Sequence, residues 1–177
     1  MNLDLQVKDN FLPKDLFNKL SVYCTTLDYS NNGITYGSSS TGDHVFYTNP
    51  IYEDDPLLKD LEKAIIKNYK IGIKNLHLAA FTLVHTKEPT PHKDELMFPT
   101  EKHLLIYLNG DPHMNAGTGF YDQQGDAFNL NTAIGCFPNR SILFSAHECF
   151  HSPLLYTAEN SVPRFAIIIW FEPEIDL

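Results

Sequence analysis

Leu76-His77-Leu78-Ala79-Ala80-Phe81-Thr82-Leu83-Val84-His85 is the stretch at which the chain changes texture. Before it, apolar residues recur at helical spacing. From it onward, short runs of strand-forming residues alternate with Pro, Gly, Asn and Asp. The later runs are His103 to Leu108, Thr118 to Tyr121, Ser141 to Phe144 and Arg164 to Phe171. Helices followed by strands predict an α+β protein, mainly β, and a jelly roll is the economical closure for that many short strands.

Toward the N-terminus, a short strand at residues 3–8 leads into Asp9-Asn10-Phe11-Leu12-Pro13, with Pro13 in the first turn of a helix. Leu16, Phe17, Leu20 and Val22 to Cys24 give that helix one apolar face. Asp55 is placed to cap a second helix with Pro56 in its first turn. Leu57, Leu58, Leu61, Ala64 and Ile65 form its stripe, which runs to about residue 69. Both helices are expected to back a sheet. The polar segments 29–50, 86–102 and 110–117 are expected to be loops around a site, the first with β-like pieces at Ile34-Thr35-Tyr36 and Val45-Phe46-Tyr47.

A length of 177 residues is most simply one domain, with helical support over about 1–75 and a jelly-roll core over about 76–172. Twelve Phe, nine Tyr and a hydrophobic fraction of 43% require a packed fold. The net charge of −9, with thirteen scattered basic residues, argues against nucleic acid as the main partner. Met1 to Gln6 shows no basic region followed by an apolar run, and no apolar stretch reaches the roughly 18 residues of a spanning helix. The chain therefore reads as soluble and cytoplasmic, with no membrane partner. Three cysteines, Cys24, Cys136 and Cys149, fit reduced thiols better than a disulfide framework.

Chemistry concentrates in Pro91-His92-Lys93-Asp94 and in Phe144-Ser145-Ala146-His147-Glu148-Cys149-Phe150-His151-Ser152-Pro153. In extended backbone, His92 and Asp94 project to the same side. Alone, such a pair is a common surface pattern. If His151 meets them, two imidazoles and one carboxylate share one face of a metal, a set suited to non-haem Fe(II) with open positions. A competing motif is His147-Glu148-Cys149-Phe150-His151, the His-Glu-x-x-His string of zinc peptidases, with Glu172 downstream as a third ligand. That motif requires a helix. Here Pro153 follows at once and the flanks read as strands, so the peptidase is the minor alternative.

After Asp94 come Leu104-Leu105-Ile106-Tyr107-Leu108-Asn109, Gly117-Thr118-Gly119-Phe120-Tyr121-Asp122, Asn139-Arg140-Ser141-Ile142-Leu143-Phe144, His151 before Ser152-Pro153, and Arg164 heading a strand that ends Trp170-Phe171. From about Leu76 to Phe171 this succession resembles the 2-oxoglutarate/Fe(II)-dependent dioxygenases, and among them the prolyl 4-hydroxylase-like branch. The segment Asp9-Asn10-Phe11-Leu12 before the first helix is similar to that branch as well.

The resemblance implies a double-stranded β-helix, a cupin-like jelly roll, with His92, Asp94 and His151 as iron ligands. It implies that Arg164 pairs with the distal carboxylate of 2-oxoglutarate, assisted by the Tyr107 hydroxyl. His151 suits the pattern better than His147. The interval from His151 to Arg164 (164 − 151 = 13) is longer than is usual in that branch, and implies a longer turn at Thr157-Ala158-Glu159-Asn160-Ser161. The implied activity is hydroxylation of an unactivated C–H bond, in a prolyl residue, another peptide residue or a small molecule. It would use O2, with ascorbate as accessory reductant, and release succinate and CO2. No second Arg follows Arg164 in its strand, unlike the nucleic-acid repair oxygenases of this fold. A non-catalytic jelly-roll binding domain is the third class of reading.

Overall fold

A computed structural model describes residues 4–29, 46–84, 91–94, 98, 100–110, 112–154 and 163–174, with 46, 47, 114 and 115 described by backbone alone. In chain order the elements are β1 (Gln6–Lys8), α1 (Lys14–Tyr23), a 3-10 turn at Cys24–Thr26, β2 (Phe46–Pro50) and α2 (Pro56–Tyr69). They continue with β3 (Ile73–Val84), β4 (Lys102–Asn109), β5 (His113–Gln124), β6 (Ala127–Cys136), β7 (Ser141–Phe144), β8 (Phe150–Pro153) and β9 (Arg164–Pro173). Six strands form one sheet in the order β1-β7-β4-β9-β3-β2, and three form a second in the order β6-β5-β8. Each strand pair is antiparallel. This is the jelly roll expected, mainly β with two supporting helices.

The alternation along β4 explains why the larger sheet has two differently used faces. Leu104, Ile106 and Leu108 pack with Phe11, with Leu20 of α1 and with Leu61 and Ile65 of α2. Tyr107 points the other way, into a second cluster with Phe120, Ile142, Phe144 and Ala166 between the sheets. In β9, Ile167, Ile169 and Phe171 join the helix side, whereas Ala166 joins the inner cluster. Each fully buried Leu or Ile contributes roughly 2 kcal/mol of hydrophobic stabilisation, so the helix-side layer is the main source of stability.

The helices are defined by their ends. Asp55 caps α2 by accepting a hydrogen bond from the Leu57 N–H at 2.8 Å, and the helix stops where Lys70 adopts φ 60° and donates to the Ile66 carbonyl. Pro13 is the N-cap of α1, and its carbonyl accepts from the Phe17 N–H at 2.9 Å. The expected apolar face of α1 is correct through Leu20. Val22 is 67% exposed, however, because it lies on the opposite side of the helix, and burial returns only at Cys24.

Asn139 ties the N-terminal segment to the sheet. Its side chain accepts from the Leu12 N–H at 2.8 Å and donates to the Leu12 carbonyl at 2.9 Å. Its own carbonyl accepts from Phe11 N–H, and its N–H donates to the Tyr107 carbonyl. The residue holds φ 62°, a conformation Asn tolerates better than most side chains. Asp9-Asn10-Phe11-Leu12 is therefore anchored beside the strand that carries Tyr107.

Two expectations are corrected. β6 was not foreseen, because Ala127-Phe128-Asn129-Leu130-Asn131-Thr132 is poor in strand formers and mostly exposed. The segment 110–117 is largely strand, since β5 begins at His113. Backbone pairing of β5 with β6 around Gly125, at φ 63°, makes both strands where side-chain propensity is weak. Residues 30–45 of the first polar segment, including Ile34-Thr35-Tyr36, lie outside the described residues. So do residues 85–90 and 95–97 and the expected turn at 157–161. The Phe46–Pro50 strand agrees with the second β-like piece, Val45-Phe46-Tyr47.

Candidate metal and cosubstrate site

His92 and His151 form an isolated antiparallel bridge at the edge of the smaller sheet. His92 N–H donates to the His151 carbonyl at 3.0 Å, and His151 N–H donates to the His92 carbonyl at 2.9 Å. The imidazole centroids are thereby 4.7 Å apart. Two residues on, the Asp94 N–H donates to the Ala146 carbonyl, and alternation turns the carboxylate to the same side as His92. Asp94 Oδ1 is 3.4 Å from His92 Nε2, and Oδ2 is 3.7 Å from His151 Nε2. One donor atom from each of the three lies within 4.8 Å of the others, so one ion could be held among them.

Local contacts set the ligand forms. His151 Nδ1 is 3.3 Å from the Cys149 carbonyl, which only accepts, so the hydrogen sits on Nδ1 and the Nε2 lone pair faces the site. Burial lowers the His151 pKa to about 4, with the Asp94 charge opposing and His92 and His103 assisting. For Asp94, burial pushes the carboxyl upward. The His103 hydrogen bond and the charges of His151, His103 and His92 outweigh it, and the net shift is downward. A neutral imidazole and an ionised carboxylate are the metal-ligating forms.

The third imidazole, His103, reads in the sequence only as the head of a strand. It is 4% exposed, with Nδ1 3.2 Å from Asp94 Oδ2 and Nε2 3.0 Å from Glu101 Oε1. The signal that could have found it is parity: His103 lies four residues before Tyr107 on β4 and so shares its inward face. Glu101 precedes the strand and carried no signal.

Arg164 and Tyr107 lie on adjacent strands, Tyr107 opposite Ala166. Arg164 is buried, its Nη1 donates to the Ala116 and Gly117 carbonyls, and its guanidinium carbon sits 5.4 Å over the Tyr107 ring. Its Nε is buried with no hydrogen-bond partner. A buried guanidinium that faces two carbonyls, and no carboxylate among the described residues, calls for an anion. Gly117 permits the close approach of β5 to β6 beside this pair, since a Cβ there would collide with the Ile134 carbonyl. Tyr107 is fully buried and shares a 2.8 Å hydrogen bond with Thr118 Oγ1. Burial raises its pKa to about 12 against the pull of Arg164, so it is a neutral phenol.

The donor chemistry fits a metal with an anionic chelator: two imidazoles and one carboxylate suit Fe(II) with open positions, and Arg164 Nε is an orphaned donor. The peptidase alternative fails on geometry. His147 and Glu148 lie in a turn before β8, with Glu148 Oε1 3.6 Å from His147 Nε2, so no helical face presents His147 and His151 together. Glu172 is engaged by Asn75 at 2.6 Å and Lys74 at 3.2 Å. Cys149 is buried in the inner cluster, where burial lifts its thiol to about 11, consistent with core packing.

The topology is the fold shared by solved 2-oxoglutarate-dependent oxygenases, prolyl hydroxylases among them. A prolyl-4-hydroxylase of Pseudomonas putida superposes with a TM-score of 0.60 at 15% identity, covering 97% of this chain and 93% of that one. A Trichoplax adhaerens prolyl hydroxylase, solved with a peptide fragment of the hypoxia inducible factor oxygen degradation domain, gives 0.68 at 15% identity over 97% and 84%. HygX of Streptomyces hygroscopicus, solved with nickel and 2-oxoglutarate, gives 0.65 at 9% identity over 97% and 83%. At these identities the likeness is one of fold. No protein-family model and no curated protein sequence matches the chain.

Proposed function

We propose that this protein is a non-haem Fe(II) and 2-oxoglutarate-dependent oxygenase that hydroxylates an unactivated C–H bond of a prolyl or other peptide residue. The observation that carries the reading is the convergence of His92, Asp94 and His151 together with the buried, anion-seeking Arg164. The three side chains would hold the metal from one side and leave the other open to cosubstrate and O2. The planar fork of Arg164 would pair with the distal carboxylate of 2-oxoglutarate, and the Tyr107 hydroxyl would support it. When bound, iron with 2-oxoglutarate and O2 supplies the oxidising chemistry and yields succinate and CO2. Phe120, Phe144 and Ala166 line the space between the sheets with apolar surface that excludes water.

A peptide substrate is supported by the peptide-bound prolyl hydroxylase of the same fold. The charge of −9 favours a peptide or small molecule over nucleic acid. We read the whole chain as one catalytic domain acting in the cytoplasm, in keeping with three buried cysteines not joined by disulfides. Among the described residues no helix is long and apolar enough to cross a membrane.

The test is anaerobic titration of the metal-free protein with Fe(II) and then 2-oxoglutarate, following the visible charge-transfer band of the chelate. A saturable band that is lost in His92→Ala supports the oxygenase. Absence of the band in a protein that binds metal, or absence of metal binding, overturns it, and the second result favours a binding module.

A further inference from the structure

Glu101, His103 and Asp94 form a buried line of carboxylate, imidazole and carboxylate directly behind the candidate ligands His92 and His151. Glu101 has no solvent exposure, and its Oε2 is buried without a hydrogen-bond partner. A carboxylate so placed is costly, and among the described residues its side-chain hydrogen bond is to His103. Both ring nitrogens of His103 face carboxylate oxygens, which only accept, so each nitrogen donates: Nε2 to Glu101 and Nδ1 to Asp94 Oδ2.

The ring is fixed as firmly on its faces as at its edges. His103 pairs with Trp170 on β9 and Phe144 on β7 in the register of the sheet. Trp170 stacks on it at 4.6 Å and 20°, and Phe144 packs on it at 5.9 Å and 57°. A strand position, two flanking aromatics and a buried acceptor thus define where the Nδ1 hydrogen points.

We propose that His103, oriented by Glu101 and Trp170, is a positioning residue that engages Asp94 Oδ2 and leaves Oδ1 as the single oxygen offered to the metal. This rests on the proposed function above. Oδ1 is the oxygen facing His92 Nε2 at 3.4 Å, while Oδ2 lies nearer to His103 Nδ1, at 3.2 Å, than to His151 Nε2, at 3.7 Å. With Oδ2 engaged, Asp94 would hold a metal through one atom and leave room for 2-oxoglutarate and O2. Without His103 the carboxylate could turn and offer both oxygens, which would crowd that room and hold a metal less rigidly.

Titration of the metal-free protein with Co(II) alone, read by its visible d–d bands, tests this without turnover, because band position and intensity report coordination number. His103→Leu is expected to bind Co(II) about 10–100-fold more weakly and with altered bands. His103→Gln, which keeps a donor toward Asp94, is expected to restore both toward the unsubstituted protein. Glu101→Gln keeps the shape but weakens the hold on the ring, and is expected to shift the bands even if His103→Leu does not fold. Unchanged affinity and bands in folded His103→Leu, or in Glu101→Gln where that variant alone folds, would overturn the proposal while leaving the oxygenase reading intact. If the unsubstituted protein bound no Co(II), or bound it equally well as His92→Ala, the oxygenase reading would fall and this proposal with it.

Discussion

His92 and His151, far apart in the chain, exchange both backbone hydrogen bonds across one antiparallel bridge. The imidazoles are brought together by main-chain pairing, so their spacing does not depend on a bound ion. A site held this way is preorganised, and its side chains can be replaced singly without dismantling the backbone that presents them.

Replacement of the proposed ligands should therefore abolish metal binding while the fold persists. His92→Ala, Asp94→Ala and His151→Ala are expected to lose Fe(II) in an anaerobic titration and to keep the far-ultraviolet circular dichroism of the parent. His147→Ala, in its turn outside the cluster, should bind Fe(II) normally. Loss of metal in His147→Ala with retention in His92→Ala would reverse the assignment.

Arg164→Ala should retain metal and weaken 2-oxoglutarate. A charge-assisted pair of this kind is worth about 1.5–3 kcal/mol, or roughly 10–150-fold in affinity. Arg164→Lys should recover only part, because an ammonium lacks the planar fork. Calorimetric titration of 2-oxoglutarate into the Fe(II)-loaded protein under nitrogen measures both, and unaltered affinity in Arg164→Ala would remove Arg164 from the site.

Asn139→Ala should destabilise the protein by about 2–3 kcal/mol, since it removes two buried hydrogen bonds to Leu12 and places a poorly suited residue at φ 62°. Asn139→Gly keeps the backbone conformation and should cost less. Urea denaturation midpoints at fixed pH give the difference. Equal losses would mean that backbone conformation contributes little there.

Helix-side core truncation is expected to act on stability alone. Ile106→Ala or Ile167→Ala should cost about 2–5 kcal/mol, as both residues are fully buried, whereas Leu130→Ser, at 53% exposure, should change little. Thermal unfolding of each variant checks this.

In the metal-free protein, stability should fall as pH drops from about 6.5 to about 4. His151 titrates near 4 when folded and near its ordinary 6.5 when unfolded, so the unfolded chain takes up the proton first. The stability this contributes is complete above pH 6.5 and lost by pH 4, at most about 3 kcal/mol. His103, raised above 6.5, contributes stability that is complete only below 6.5, so it opposes the fall at the top of the window and adds no slope toward its acid end, while the depressed Asp94 begins to lose its contribution only near its ordinary 3.8. His151→Gln should flatten the profile between these limits in denaturant unfolding across pH, and an identical slope in that variant would contradict the buried neutral imidazole.

Much of this protein is determined locally and is legible in the chain. The Asp55 cap with Pro56, the stripe of α2, and the strands around Leu104, Ile142 and Ile167 follow from spacing and capping, which act between near neighbours. The same-side projection of His92 and Asp94 is equally local. Sequence favours His151 over His147, but that His151 meets them is set by tertiary structure, through a backbone bridge between distant segments and a turn where a helix would have been needed. It also decided that β6 is a strand, through pairing with β5 that its own side chains do not favour. The buried pair of Glu101 and His103 behind Asp94 became visible only when three strands placed Phe144, His103 and Trp170 side by side. Which strands lie side by side in a sheet sets such contacts, and for β7, β4 and β9 that depends on segments distant in the chain, which no single segment encodes.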